Sequence, residues 1–179
     1  MIQPIQFAVY KGMGGKFGAA QFNLQKPHRV CGVCKKRDYS GSLLECCNEK
    51  TNTRDGAIFL EVTSTAKDQK NVYDWSKKIT VALSITDISK LLYGFRTATE
   101  GSETKLMHDP GAKTESMGKV QKHVSLNSPQ GPGKGFMLNV AQFSGQADKI
   151  VHTVPLSPEE ALVISTLFAA AIPQLLAWS

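Results

Sequence analysis

The sequence lacks any pattern that would hold a nucleotide's phosphates. The glycine-rich stretch VYKGMGGKFGAAQF (9–22) comes nearest. A P-loop needs a hydroxyl residue directly after its lysine to hold the metal, and here Lys16 is followed by Phe17. The dinucleotide fingerprint fails as well. Gly12 and Gly14 fit it, but Phe17 stands where the third glycine belongs. Mononucleotide chemistry at this loop is excluded. Catalysis finds no support elsewhere, because no paired carboxylates and no activated nucleophile emerge. His108 and Asp109 are adjacent in sequence, and Asp109-Pro110-Gly111 reads as turn chemistry. His123 and His152 stand alone in strand-like runs. The chain is expected not to be an enzyme.

Long apolar runs are scarce too. Met1 to Phe22 has neither the apolar core of a secretory signal nor the Arg- and Ser-rich look of a transit peptide. This predicts an intracellular protein, in an organelle matrix (mitochondrion or plastid) or a prokaryotic cytoplasm. Ala161 to Trp178 is uncharged, but Ser165, Thr166, Pro173 and Gln174 interrupt it. A buried or oligomer-forming helix fits it better than a membrane anchor. Cysteines number four: Cys31, Cys34, Cys46 and Cys47. Cys31-x-x-Cys34 is half a zinc site, with Cys46-Cys47, or His28, to complete it. Reduced structural thiols on a hairpin and a redox pair are the other readings. No other cofactor is implied.

Charge is present but unevenly placed. Residues 1–97 carry 15 Lys and Arg against 8 Asp and Glu, and residues 98–179 carry 6 against 7. A basic first half suggests a polyanionic partner. At 179 residues, one domain with a proper core is expected.

The order of elements reads as two similar halves. Ser157-Pro158-Glu159-Glu160 is a helix start, with Leu162, Ile164, Leu167, Phe168, Ala171 and Leu175 as its apolar face. Pro173 should kink or end this helix. Earlier, ITVAL (79–83) reads as a strand and SITDISKLL (84–92) as a helix capped by Ser84 or Thr86, with Gly94 as its stop. Strand patterns fall at about 7–11, 17–24, 57–63 and 75–83, then at about 104–108, 119–126, 136–143 and 150–154. The fold class is α+β: four strands, helix, four strands, helix, with antiparallel pairing through short turns. The segment 26–55 interrupts this plan as a basic, cysteine-containing insertion, expected to be a long loop or irregular hairpin.

Several of these stretches resemble one family, the Whirly proteins. VYKG followed by Lys16, Ala19 and Ala20 resembles their opening strand motif. YDWSKKITVALSITDISKLL (73–92) is similar to their Tyr-Asp-Trp strand and first helix. HDPGAKTESMGKVQKHVSL (108–126) matches their His-Asp-Pro turn and Gly-Lys-Val strand, and VPLSPEEALVISTLFAAAIPQLLAW (154–178) their final helix. Segments 12–16 and 26–55 depart from the family pattern. The resemblance implies two four-stranded antiparallel sheets packed crosswise, in a single domain over 1–179. It implies a homotetramer assembled through the helices, with Leu167, Phe168 and Ala171 at the interface. It also implies single-stranded DNA binding with little sequence preference, in DNA maintenance or transcription. The related kinetoplastid RNA-binding proteins share the fold, so RNA annealing stays open as an alternative. A structural subunit of a larger nucleic-acid complex is another.

Single-strand binding needs cations for phosphate and flat apolar groups for bases. Lys11, Lys16 and Phe17 supply them in the first half, and Tyr73, Trp75, Lys77 and Lys78 in the second, with Lys119 and Lys122 on a third strand. If 75–83 is a strand, Tyr73, Trp75 and Lys77 share a face and Lys78 takes the other. A core-filling Trp75 is the alternative.

Overall fold

The computed structural model describes residues 6–12, 17–31, 33–34, 37–38, 51–66, 72–109, 120–128, 134–144 and 148–176. Among these residues, eleven strands, one 3-10 turn and two α-helices follow one another. Strands β1 (Gln6–Tyr10), β2 (Gly18–Gln25), β6 (Ala57–Ser64) and β7 (Ile79–Leu83) form one antiparallel sheet in the order β1-β2-β6-β7. Helix α1 (Ile85–Thr97) follows directly. Strands β8 (Glu103–His108), β9 (Val120–Asn127), β10 (Phe136–Ser144) and β11 (Asp148–Leu156) form a second sheet in chain order, and helix α2 (Pro158–Leu175) follows. The segment expected to be a loop or irregular hairpin forms a third, small sheet. Its strands are β3 (His28–Cys31), β4 (Arg37–Asp38) and β5 (Thr51–Arg54), in the order β4-β3-β5.

Period-two patterning explains the layering. Val9, Ala20, Phe22, Ile58, Leu60, Val62, Ile79, Val81 and Leu83 are buried on one face of the first sheet. Leu106, Val124, Leu126, Leu138, Val140, Val154 and Leu156 do the same in the second, and both sets join Ile164 and Phe168 of α2 in a continuous core. Phe22 and Phe168 meet edge to face, with ring centroids 5.7 Å apart.

Both helices start on a reciprocal capping box. Ser84 Oγ accepts from the Asp87 amide (3.3 Å), and Asp87 Oδ2 accepts from the Ser84 amide (2.9 Å). Ser157 and Glu160 repeat the exchange at 3.3 and 2.8 Å, with Pro158 in the first turn. Each cap is the single residue between a strand and its helix.

Several sequence expectations are corrected. Gly94 does not stop α1, which runs on to Thr97. A Cβ at this position would lie 2.2 Å from Thr104 Oγ1, so the glycine serves the close approach of α1 and β8. Pro173 lies inside α2, which ends two residues later at Leu175, with the Leu176 amide bonded to Ile172 O at 3.1 Å. A strand over 75–83 is also overturned at its start. Trp75–Lys77 is a 3-10 turn and pairing begins at Ile79. Among the described residues, no helix is long and apolar enough to cross a membrane.

Candidate nucleic-acid interface

The faces opposite the core are the surfaces on which an extended chain can lie. On the first sheet, the alternation that buries Val9 and Phe22 turns Tyr10, Gln21, Asn23, Phe59, Glu61 and Thr80 outward. Tyr10 is 54% exposed and its ring centroid sits 5.3 Å from that of Tyr73. Tyr73 reaches this place because the chain doubles back in a bridge to Thr65. Burial first, and Tyr10 second, push the Tyr73 phenol above its ordinary range, so it stays neutral. Gln21 Nε2 donates to Asn23 Oδ1 (3.2 Å), and Lys78 Nζ pairs with Glu61 (2.7 Å). The result is a flat face of aromatic rings, amides and a half-neutralised lysine.

The second sheet carries a matching outer face. His123 and Phe143 lie with ring centroids 4.8 Å apart, and Lys149 Nζ stands 5.4 Å from the Phe143 centroid. Beside them, Asn139 Nδ2 donates to Asn127 Oδ1 (2.9 Å), and Thr153 Oγ1 donates to Asn139 Oδ1 (2.8 Å). Lys105 and the 69%-exposed Met107 complete an open groove on this face. Rings, a cation and oriented amides are what stacking bases and phosphates require.

Of the residues expected from sequence, the structure gathers only some here. Tyr73 and Lys78 belong to the first face. Lys77 is exposed at its edge, paired with Asp74 at 3.1 Å. Trp75 is half-buried in the 3-10 turn and is no part of the core cluster, so neither the shared-face nor the core-filling reading holds. Phe17 is half-buried just before β2. Lys11 points to the other side of β1: its Nζ pairs with Glu160 of α2 at 2.9 Å, because it continues the inward parity of Phe7 and Val9. Lys122 also takes the inward parity of its strand. It lies on the core side of β9 and its Nζ donates across to Thr80 O of β7 at 2.7 Å, as a tie between the sheets. Lys16, Lys119, Cys46 and Cys47 lie outside the described residues.

Phe168 and Ala171, expected at an oligomer interface, are buried within this chain at 1% and 3% exposure. Leu167 is half-buried and lines a small apolar cavity with Phe7, Phe22 and Leu24. The outward face of α2 is instead Leu162 and Val163, which are exposed, as is Tyr93 of α1.

Tyr10, Phe59, Phe143 and Lys149 were not singled out from sequence, and His123 was noted only as a lone histidine in a strand. The signal was there, in the strands' alternation, but lysine-rich motifs drew attention elsewhere. His152 was also missed as a structural residue. Its Nε2–H donates to Lys77 O (3.1 Å), which makes Nδ1 the acceptor from Ser64 Oγ–H (2.7 Å). Burial lowers its pKa, and the Lys77 carbonyl opposes that shift less strongly. This neutral imidazole ties β11 to β6 and to the 3-10 turn. His108 approaches Asp87 (3.4 Å), while Asp109 accepts from Gln121 (3.1 Å), so the adjacent pair is not a dyad.

Comparison with known proteins follows the same line. Residues 43–167 match the family model described as Whirly transcription factor. The single-stranded DNA-binding protein WHY2, mitochondrial, of Arabidopsis thaliana is 28% identical over 128 residues, covering 70% of this chain and 50% of that protein. WHY3, chloroplastic, of the same plant is 32% identical over 130 residues, covering 71% and 46%. The chain thus spans about half the length of the curated relatives it matches. The crystal structure of WHY1 from Arabidopsis thaliana superposes with a TM-score of 0.73 at 22% identity, over 99% of this chain and 88% of that one. The Trypanosoma MRP1/MRP2 structures share the fold more distantly, with a TM-score of 0.50 at 12% identity, over 96% and 85%.

Proposed function

This chain belongs to the Whirly family, and from that premise we propose that it binds single-stranded DNA on the outer faces of its two four-stranded sheets. The observation that carries the reading is the pair of ring-bearing outer faces, Tyr10–Tyr73 on one sheet and His123–Phe143 with Lys149 on the other. Stacking on such rings is worth about 1–3 kcal/mol per base and tolerates any base. Lysines contribute through counterion release. Binding is therefore largely independent of sequence, involves no turnover, and serves DNA maintenance or transcription. Its setting is intracellular, in an organelle matrix or a prokaryotic cytoplasm.

We place the whole chain in one domain, with the cysteine-containing segment at about 26–55 as an insertion. The two large sheets pack crosswise as a repeated sheet-and-helix unit. Four copies join through their helices, with exposed Leu162, Val163 and Tyr93 at the contacts.

Matched DNA and RNA oligonucleotides, titrated by fluorescence anisotropy at several salt concentrations, test the reading. DNA is expected to bind with a negative salt slope. Tyr10→Ala with Phe143→Ala should weaken it roughly 30-fold or more, at one lost stack per face. Lys149→Ala should flatten the slope by about 0.7. Unchanged affinity in the folded double variant would overturn the placement. Tighter RNA binding with accelerated duplex formation would favour the annealing alternative.

A further inference from the structure

The small third sheet is an arm on the first one. Strands β3 and β5 prolong the β2–β6 hairpin in unbroken register: Gln25 pairs with Ala57 and His28 with Arg54, with two residues left out on each side. The arm starts where α2 stops. Gly56 lies so close under the last residue of that helix that a Cβ there would come 2.6 Å from Leu175 Cδ2.

Pairing and alternation sort the arm's cations. Arg54 is the Cα partner of His28 and Arg37 that of Val30, and His28 and Val30 stand two residues apart on β3. Arg37 and Arg54 therefore share one face, on the strands either side of β3, and both are exposed. Lys26, two residues before His28, is exposed as well. Arg29, with its partners Asp38 and Thr53, belongs to the other alternate set.

Two observations say what this face fits. Lysines elsewhere are claimed by carboxylates: Lys11 by Glu160, Lys77 by Asp74, Lys78 by Glu61 and Lys105 by Glu103. Among the described residues, no carboxylate pairs with Lys26, Arg37 or Arg54. The described residues of the arm also include no Phe, Tyr or Trp, so a base finds nothing to stack on. The two arginines stand two strand spacings apart, about 10 Å, which suits an extended anion rather than a single small one. Stable docking on an anionic membrane takes apolar side chains or a lipid anchor beside the charge, and this face offers only the half-buried Val30.

We propose that the Arg37–Arg54 face is a second nucleic-acid contact, which grips the phosphates of a DNA duplex. Cations without rings read phosphate alone. A duplex is the dense form of that ligand, with one charge per about 1.7 Å of axis, and its paired bases need no stacking surface. Together with the ring-bearing faces, the arm fits the chain to a junction of single and double strand. That placement rests on the single-strand reading; the duplex contact itself does not.

Fluorescence anisotropy of the full chain with a blunt-ended duplex, and separately with a short single strand, tests it. The duplex is expected to bind with a negative salt slope. Arg37→Ala with Arg54→Ala should flatten that slope by about 1.8, two contacts at about 0.9 each, and leave single-strand affinity unchanged. Arg37→Lys with Arg54→Lys keeps the charge and should restore the slope. Tyr10→Ala with Phe143→Ala should do the reverse of the arginine pair, weakening the single strand and sparing the duplex. Wild-type protein that binds no duplex at low salt would overturn the proposal. So would a folded Arg37→Ala, Arg54→Ala variant with an unchanged duplex slope. Tighter binding to phosphatidylserine vesicles than to the duplex, at equal phosphate, would also overturn it and make the face a lipid contact. Duplex binding without single-strand binding would sink the stacking faces and leave this contact standing.

Discussion

At the scale of single residues, what decides a side chain's job is its partner, and the partner is often far along the chain. Lys11 and Lys122 look like phosphate contacts in sequence, yet Glu160 and Thr80 O claim them. Nothing local to either lysine reveals this, although the parity of the neighbouring strand residues gives its direction. Tyr10 and Phe143 were legible in the same parity, once the inward set was fixed. His152 shows the same dependence on distant partners. Its imidazole is held neutral between Ser64 and Lys77 O, with a lowered pKa. Protonation is then easier in the unfolded chain, so this contribution is fully present above about pH 6.5 and is lost as pH falls toward the depressed value. Melting curves between pH 8 and 5 should show stability declining below pH 6.5, with a shallower decline in His152→Gln. An equal decline in that variant would assign the effect to other groups. His152→Ala should cost about 1–3 kcal/mol at neutral pH, because the Ser64 hydroxyl loses its buried acceptor.

At the scale of elements, both helix starts and the approximate places of the eight strands of the two large sheets were readable, because each rests on local rules of period and cap. The misses share one cause, which is contact between elements. Gly94 looked like a helix stop and is a spacer against Thr104. Trp75–Lys77 has the composition of a strand and folds as a turn, returning the chain from the Thr65–Tyr73 bridge to β7. The small sheet was unreadable because it lacks the apolar alternation by which strands are recognised. Gly18 offers a clean test of inter-element contact. A Cβ there would come 1.8 Å from Thr63 O, a backbone atom that no rotamer change can move away. Gly18→Ala should therefore lower stability by about 1–3 kcal/mol in chemical denaturation. A neutral result would show that β2 and β6 can shift register at little cost.

For the whole molecule, the charge and the exposed apolar surface point in different directions. Basic excess lies in residues 1–97, with Arg37 and Arg54 exposed on the small sheet. Exposed apolar side chains, Tyr93, Leu162 and Val163, stand on the two helices. If those helices join the copies, Leu162→Glu with Val163→Glu should reduce the mass in solution to that of one chain, measured by light scattering, with the fold retained. Phe168→Glu should instead unfold the chain, since that ring lies in its core. A tetramer that survives the double change would move the contact to another surface.

The joints between sheet and helix bear on what kind of surface this is. Ser84 and Ser157 are each the only residue between a strand and the helix behind it, and each is held by hydrogen bonds in both directions. A joint of that length has no slack. The two platforms are in mechanical terms stiff decks bolted to their supports, and a flexible strand laid on them must conform to the deck. Nearly all the ordering cost of an encounter then falls on the nucleic acid, and softening either joint with inserted glycines should weaken binding without removing a single contact.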